Sequence, residues 1–148
     1  MIQKLHAAAG ALALLMIAGF WGATALTELV GDAHRITTVK TGILYGMVVV
    51  IPAMATAGIT GAGLGRGMRL PAVAVKLNRM KVIAGNGILI LLPSAVFLAL
   101  RAQAGQFDIG FVIVQTLELL AGAVNITLLG LNMRDGLRLA ARRRRVRG

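Results

Sequence analysis

Cysteine is absent from this 148-residue chain, and only two histidines, His6 and His34, are present. The absence of cysteine excludes disulfides, thiolate metal sites, cysteine nucleophiles and the covalent attachment of c-type haem. Two histidines and five carboxylates leave few ligands for a metal site. The only serine, Ser94, stands beside Pro93 and outside any nucleophile motif. The sequence therefore predicts no metal site and no catalytic residue, and it leaves open whether the protein is an enzyme, with a non-enzymatic role favoured.

Charge is also scarce, because charged residues make up 14% of the chain against about 25% in an average soluble domain. The charges separate four long apolar blocks, at residues 7–27, 41–65, 82–100 and 109–133. About 20 apolar residues in a helix cross a bilayer core of about 30 Å, and a helix satisfies its own backbone hydrogen bonds. The sequence predicts an all-α, four-helix transmembrane bundle forming a single domain, 1–148. The expected helices are 5–29, 39–64, 79–101 and 108–134, followed by a basic tail, 135–148.

The positive charges predict the orientation of this bundle. Lys4, the interfacial connector 66–78 with the residues up to Lys81, and the tail are rich in lysine and arginine, whereas residues 30–40 and 101–108 are poor in them. Both termini are therefore expected in the cytoplasm of a bacterium, with the protein in its inner membrane and residues 30–40 and 101–108 facing the periplasm. The net charge of +11 is explained by topology and by contact with anionic lipids, so nucleic acid is not an expected partner.

The first apolar block has an alternative interpretation. Lys4, the apolar run and the tripeptide Ala23-Thr24-Ala25 also have the arrangement of a signal peptide with its cleavage site. Cleavage would leave three helices. The apolar run is long for a signal peptide, so the sequence favours a retained first helix.

Glu118 is the most informative single residue, because it lies near the middle of the fourth predicted helix, about 14 Å from its start. An ionisable group at that depth is costly and usually faces the interior of a bundle. Polar and small residues share its helix face at spacings of three, four and seven: Gln115, Gly122, Asn125 and Asn132. Two hypotheses remain open. Glu118 binds a proton, a cation or a quinone headgroup, or it ties helices together through hydrogen bonds. Asn86 lies at a similar depth to Asn125, so a hydrogen bond between them is expected.

Two further sites are weaker candidates. Glu28, Lys40 and Tyr45 lie near the periplasmic edge, where Glu28 and Lys40 are expected to form an ion pair at the rim, or all three a vestibule leading to Glu118. His6 and His34 lie on opposite sides of the membrane, so they cannot hold one haem. His6 with Met80, at the same side, is the remaining candidate for ligation of haem b.

Gly42 and Gly46 form a G-x-x-x-G motif in the second block. Small residues at this spacing allow helices to approach closely. The motif is expected to pack within the bundle or between copies of the chain, which leaves homo-oligomers and larger membrane complexes open as assemblies.

Three stretches are informative together: KLHAAAGALALL at 4–15, LNRMKVIAGNGILIL at 77–91 and QTLELLAGAVNITLLGLNMRDGL at 115–137. They resemble a family of short four-pass membrane proteins of proteobacteria. The resemblance implies a bacterial inner membrane and a four-helix fold, and it assigns no activity or site residue. The opening LHAAAGALALLMIAGFWG is also loosely similar to the first helix of copper-resistance-D-like membrane proteins, but the lack of further histidines does not favour copper binding.

Three functions follow as hypotheses. The favoured one is a non-enzymatic accessory or assembly subunit of a membrane complex, because the chain is small and has no soluble domain. The second is a redox module that binds quinone or haem b. The third is a small transporter or channel in which Glu118 is the coupling or selectivity residue.

Overall fold

The computed structural model describes residues 1–65 and 71–147, with the side chains of residues 71, 72, 139 and 142–147 excepted. The helices are α1 (Ile2–Val30), α2 (Ala33–Gly65), α3 (Pro71–Asn86), α4 (Leu92–Gln103) and α5 (Ile109–Arg147), and a π-helical turn (Gly87–Leu91) joins α3 to α4. Because this turn joins α3 and α4 into one continuous segment, the described residues contain four helical segments that are long and apolar enough to cross a membrane. The predicted all-α bundle of four helices is therefore confirmed.

The π-helical turn explains how the third segment accommodates its proline. Pro93 has no backbone N–H and its ring crowds the preceding turn, so a regular helix is disturbed just before it. The widened turn lies directly before this proline and carries the chain onward without ending the helix. Pro52, by contrast, lies inside an uninterrupted α2.

Aspartates cap two of the helices at their first turns. Asp32 accepts a hydrogen bond from the Arg35 backbone N–H at 2.9 Å, and Asp108 accepts one from the Phe111 N–H at 3.0 Å. These are the positions at which a side-chain oxygen satisfies a free N–H of the helix end. The bond from Arg35 holds the pKa of Asp32 below its usual value.

The helix bounds differ from the predicted ones in three places. α2 begins at Ala33 rather than near 39, because Asp32 caps it there. α3 begins at Pro71, inside the predicted connector, whose Arg66 and Arg69 lie outside the described residues. α5 continues to Arg147 through the predicted tail, whose alanine, leucine and arginine residues favour a helix.

Small side chains dominate the few buried positions between the helices, Ala9, Ala13, Ala57, Ala99 and Ala121 among them. Most large apolar side chains are exposed on the outside of the bundle, as expected where lipid rather than water surrounds the helices. α1 packs mainly on α2 and on α5, and α4 packs on α2 and α5. α2 and α3 have the weakest packing of the adjacent helices.

The two ends of the bundle differ in charge. One end, called here the basic end, holds the start of α1, the start of α3 and Arg134 and Arg138 of α5. There Arg79 pairs with Asp135 at 2.7 Å and ties α3 to α5. The other end, the connector end, holds residues 31–32 and 104–108, where Arg101 pairs with Asp108 at 3.0 Å.

Candidate functional site

The polar face of α5 is turned into the bundle, as its spacing predicts. Gln115, Asn125 and Asn132 are each at most 4% exposed, and the Glu118 side chain is 12% exposed. Polar side chains therefore follow the inner side of α5 from the middle of the connector half to the basic end.

Glu118 forms an ion pair with Lys40 of α2. Lys40 Nζ lies 2.5 Å from Glu118 Oε2, and the lysine is 1% exposed. Two buried side chains complete the surroundings: Lys40 donates to the Thr24 hydroxyl at 3.5 Å, and Gln115 Nε2 donates to the same carboxylate oxygen at 3.3 Å. Three of the four membrane-crossing segments thus meet at one charged pair, which is net neutral whichever partner holds the proton.

The second carboxylate oxygen of Glu118 has a different environment. Both hydrogen bonds to this carboxylate end on Oε2, and in the described part of the chain Oε1 accepts none. The only buried side-chain polar atoms without a partner among the described residues are Gln115 Oε1 and Asn132 Oδ1, so Oε1 of Glu118 is accessible. Glu118 is also part of the wall of a large crevice.

Two amide layers lie on the basic side of the ion pair. Asn86 Nδ2 donates to Asn125 Oδ1 and to the Ala121 carbonyl, both at 2.8 Å, which is the pairing expected from their depths. Asn132 Nδ2 donates to the Lys76 carbonyl at 3.4 Å. These bonds tie α3 to α5, and none of them involves α2.

A crevice of about 880 Å³ lies between α1, α2, α5 and the third membrane-crossing segment. Ile43 and Ala62, 19 residues apart on α2, both line it, so it extends over about 28 Å along the helix. Its walls are mostly apolar, with Ile17, Phe20, Met47, Met54, Leu77 and Leu91 among the lining residues. Its polar groups are few: Thr24, Glu118 and Asn125 at depth, and Asn78 with Lys81 towards the basic end.

The crevice opens to the outside of the bundle where α2 and α3 are poorly packed. Ile51, Ile59 and Ile88 line it and are also 50%, 74% and 64% exposed, respectively. In a membrane, this side of the bundle faces the acyl chains. A lipid-soluble molecule can therefore reach the crevice from within the bilayer.

Trp21 and Phe20 give the crevice an aromatic wall beside Glu118. The Trp21 indole N–H donates to the Leu119 carbonyl at 2.8 Å, which fixes the ring against α5. A Cβ atom at Gly122 would lie 2.9 Å from Trp21 Cδ1, so only glycine lets the indole lie this close to the helix. Phe20 fits against Gly46 of α2 in the same way.

The predicted ion pair between Glu28 and Lys40 is wrong. Lys40 is buried against Glu118, whereas Glu28 is exposed and has no cation within 4.0 Å among the described residues. The predicted vestibule is not formed either, because Tyr45 is 72% exposed and neither Tyr45 nor Glu28 lines the crevice. The physical reason is the early start of α2, which carries Lys40 about 10 Å into the helix.

His6 and Met80 are not brought to one site. His6 Nδ1 lies 3.1 Å from both the Ala57 carbonyl oxygen and the Thr60 hydroxyl, and its ring contacts Gly61. Met80 lines the crevice, and His6 does not. Within residues 1–65 and 71–147, no group of three histidine, aspartate or glutamate side chains could hold a metal ion.

Sequence reasoning found Glu118 and its amide neighbours and missed Lys40, Thr24 and the aromatic wall. One signal for Lys40 was present, since Asp32 is a typical N-cap residue and moves the helix start towards it. Comparisons of the chain with protein-family models, with curated proteins and with solved structures found no match. The resemblance to short four-pass proteins of proteobacteria stays a prediction.

Proposed function

We propose that this membrane protein is a non-enzymatic, quinone-binding subunit of the bacterial inner membrane, with both termini in the cytoplasm. The observation that carries the proposal is the lateral apolar crevice that ends on an accessible carboxylate oxygen of Glu118 at mid-membrane depth. The proposal joins two of the hypotheses drawn from the sequence, the accessory subunit and the quinone-binding module.

The size and lining of the crevice support a small lipid-soluble ligand. Ligand sites in proteins typically enclose about 300–1,000 Å³ and combine apolar walls with a few polar groups that fix orientation. The crevice, with about 880 Å³ and a mostly apolar lining, has both properties. Its length of about 28 Å suits a long apolar tail lying parallel to the helices.

The polar atoms at its deep end support a ligand with a hydrogen-bonding headgroup. A polar group that faces hydrocarbon without a hydrogen bond costs several kcal/mol. An acyl chain in the crevice would leave Glu118 Oε1 in that situation. The hydroxyl of a quinol headgroup would satisfy it, and the ring of either redox form would pack against Trp21.

The two other hypotheses gain less from the geometry. Ligation of haem b by His6 and Met80 would need both residues in one site, and only Met80 lines the crevice. Transport through Glu118 would need a route to the connector end, where Glu28 and Tyr45 do not line the crevice. The orientation with cytoplasmic termini rests on the charge of the basic end.

Analysis of bound lipids tests this proposal. The protein is purified in mild detergent from bacterial membranes, and its organic extract is analysed by mass spectrometry for isoprenoid quinones. We expect an amount approaching one quinone per chain, well above the share of quinone in the membrane extract.

A test variant and its matched control come from two glycines of α2 at which an added Cβ meets no atom within 4 Å. Gly58 lines the crevice, whereas Gly42 does not. Gly58→Leu should lose most of the quinone and Gly42→Leu should keep it. Phospholipid alone in the wild-type extract, or equal quinone in both variants, would contradict the proposal.

A further inference from the structure

We infer that the crevice selects the reduced, hydroxyl-bearing form of its ligand, a quinol, over the oxidised quinone. The inference rests on the proposed function and goes further, because it names which redox form binds and which atom recognises it. The recognising atom is Oε1 of Glu118, the oxygen of this carboxylate that accepts no hydrogen bond from the described residues.

Oε1 is an acceptor when the pair is ionic. Lys40 Nζ lies 2.5 Å from Oε2, and Gln115 Nε2 also donates to Oε2 at 3.3 Å. Neither bond uses the lone pairs of Oε1. Oε1 calls for a donor on the ligand, which a quinol hydroxyl supplies and a quinone carbonyl does not.

The donors near Glu118 are already engaged. The Trp21 indole N–H is bonded to the Leu119 carbonyl at 2.8 Å. Both bonds from Asn86 Nδ2 end on α5 acceptors at 2.8 Å, and Asn125 Nδ2 faces the Ile83 carbonyl at 3.4 Å. Lys40 is 1% exposed and directed at Glu118 and Thr24. At this depth the wall therefore offers a quinone carbonyl little to bind.

The charge of the site favours a headgroup without a net charge. Lys40 and Glu118 together are neutral, and the exposed carboxylate of Glu28 adds a longer-range electrostatic interaction with both. An anionic headgroup such as a phosphate would face two carboxylates in a region of low dielectric, which is repulsive. A cationic headgroup would have to be desolvated beside a carboxylate that Lys40 already neutralises. A neutral hydroxyl avoids both costs.

The aromatic wall favours a ring as the carrier of that hydroxyl. Trp21 and Phe20 line the crevice next to Glu118, and aromatic rings prefer offset or edge-to-face contacts with other rings. Gly58 lines the crevice, and nothing lies within 4 Å of a Cβ placed there, which leaves room for a flat ring. A hydroxylated ring with an apolar tail matches the wall, the depth and the open acceptor together.

The test compares two probes that differ only in redox state, decylubiquinol and decylubiquinone, under nitrogen. The purified full-length protein is titrated with each in the same detergent, and binding is read from the rise in its thermal unfolding midpoint. A hydrogen bond to a charged acceptor is worth about 1.5 kcal/mol or more, which corresponds to about tenfold in affinity. We therefore expect the quinol to bind about tenfold more tightly than the quinone.

Two variants check that Glu118 is the origin of the preference. In Glu118→Gln the amide oxygen is expected to face Lys40, which turns the NH₂ group to the crevice and should shift the preference to the quinone. Asp108→Asn is the matched control, because Asp108 is an exposed carboxylate outside the crevice lining and asparagine can keep its cap on the Phe111 N–H, and it should keep the wild-type preference.

The outcomes separate this inference from the proposed function. If the quinone binds wild-type protein as tightly as the quinol or more tightly, the inference is overturned while quinone binding stands. If neither probe raises the midpoint, both are overturned. The wild-type comparison decides the matter even if Glu118→Gln does not fold.

Discussion

At the scale of single residues, the burial of Lys40 against Glu118 ties the stability of the bundle to one ion pair. Each of these side chains alone would be an uncompensated charge among apolar helices, which costs several kcal/mol. Together they lie 2.5 Å apart, with Thr24 and Gln115 as further partners. The free energy of the folded bundle therefore depends much more on keeping the two residues matched than on either one.

Lys40→Met should accordingly destabilise the protein by about 3 kcal/mol, because it leaves Glu118 buried without its cation. The double variant Lys40→Met with Glu118→Leu should recover most of this loss, since an apolar pair of similar volume is often as stable as a buried ion pair. The free energies of unfolding in mixed micelles, arranged as a double-mutant cycle, measure the coupling. Additive effects of the two substitutions would show that the pair does not exist.

The sequence supplied half of this pair. An ionisable residue in the middle of an apolar block is visible by position alone, so Glu118 and its inward face could be predicted. Lys40 adjoins an apolar block that begins at residue 41, and a helix expected from residue 39 places the lysine at the rim. Only the capped start at Asp32 places the lysine inside the helix.

At the scale of elements, α2 has two glycines whose roles differ. The G-x-x-x-G motif predicts close packing at Gly42 and Gly46 alike. In the structure Phe20 of α1 occupies the space beside Gly46, whereas nothing lies within 4 Å of a Cβ at Gly42. Which glycine of such a motif packs depends on where the neighbouring helix crosses, and the spacing alone does not contain that information.

Gly46→Leu should therefore destabilise the bundle by about 1–3 kcal/mol, because the new side chain overlaps the Phe20 ring and overpacks the α1–α2 contact. Gly42→Leu is the matched control on the same helix and should change the free energy of unfolding by less than about 0.5 kcal/mol. Both are measured by unfolding in mixed micelles. Equal effects of the two substitutions would contradict the position of Phe20.

The third membrane-crossing segment shows how a helix irregularity produces the site. Pro93 at the start of α4 is preceded by the π-helical turn at 87–91, and Gly87, Ile88 and Leu91 of that turn line the crevice. A proline inside an apolar block predicts a distortion of the helix, as the sequence indicates. It does not predict that the distorted segment will stand away from α2.

At the scale of the whole molecule, the four membrane-crossing helices were predictable and the crevice was not. Four apolar blocks separated by charges follow from the transfer of side chains into hydrocarbon, a large effect that each block shows by itself. The crevice depends on differences in packing between α2 and its neighbours, and these reflect small-residue contacts spread over several helices. Its accessible acceptor, Glu118 Oε1, depends in turn on the position of Lys40.

The bundle thus holds an internal ion pair between Lys40 and Glu118, and Glu118 Oε1 is the acceptor proposed for a ligand from the bilayer. A ligand bound at Glu118 would lie beside Trp21, the only tryptophan in the chain and a lining residue of the crevice. The fluorescence of Trp21 therefore reports directly on occupation of the crevice.

The most direct test is a titration of purified protein with decylubiquinone while this fluorescence is recorded. We predict saturable quenching in the wild type and in Gly42→Leu, and weak, non-saturating quenching in Gly58→Leu, whose side chain fills the crevice. Quenching that rises without saturation and equally in all three proteins would reflect probe dissolved in the detergent. That result would contradict binding in the crevice.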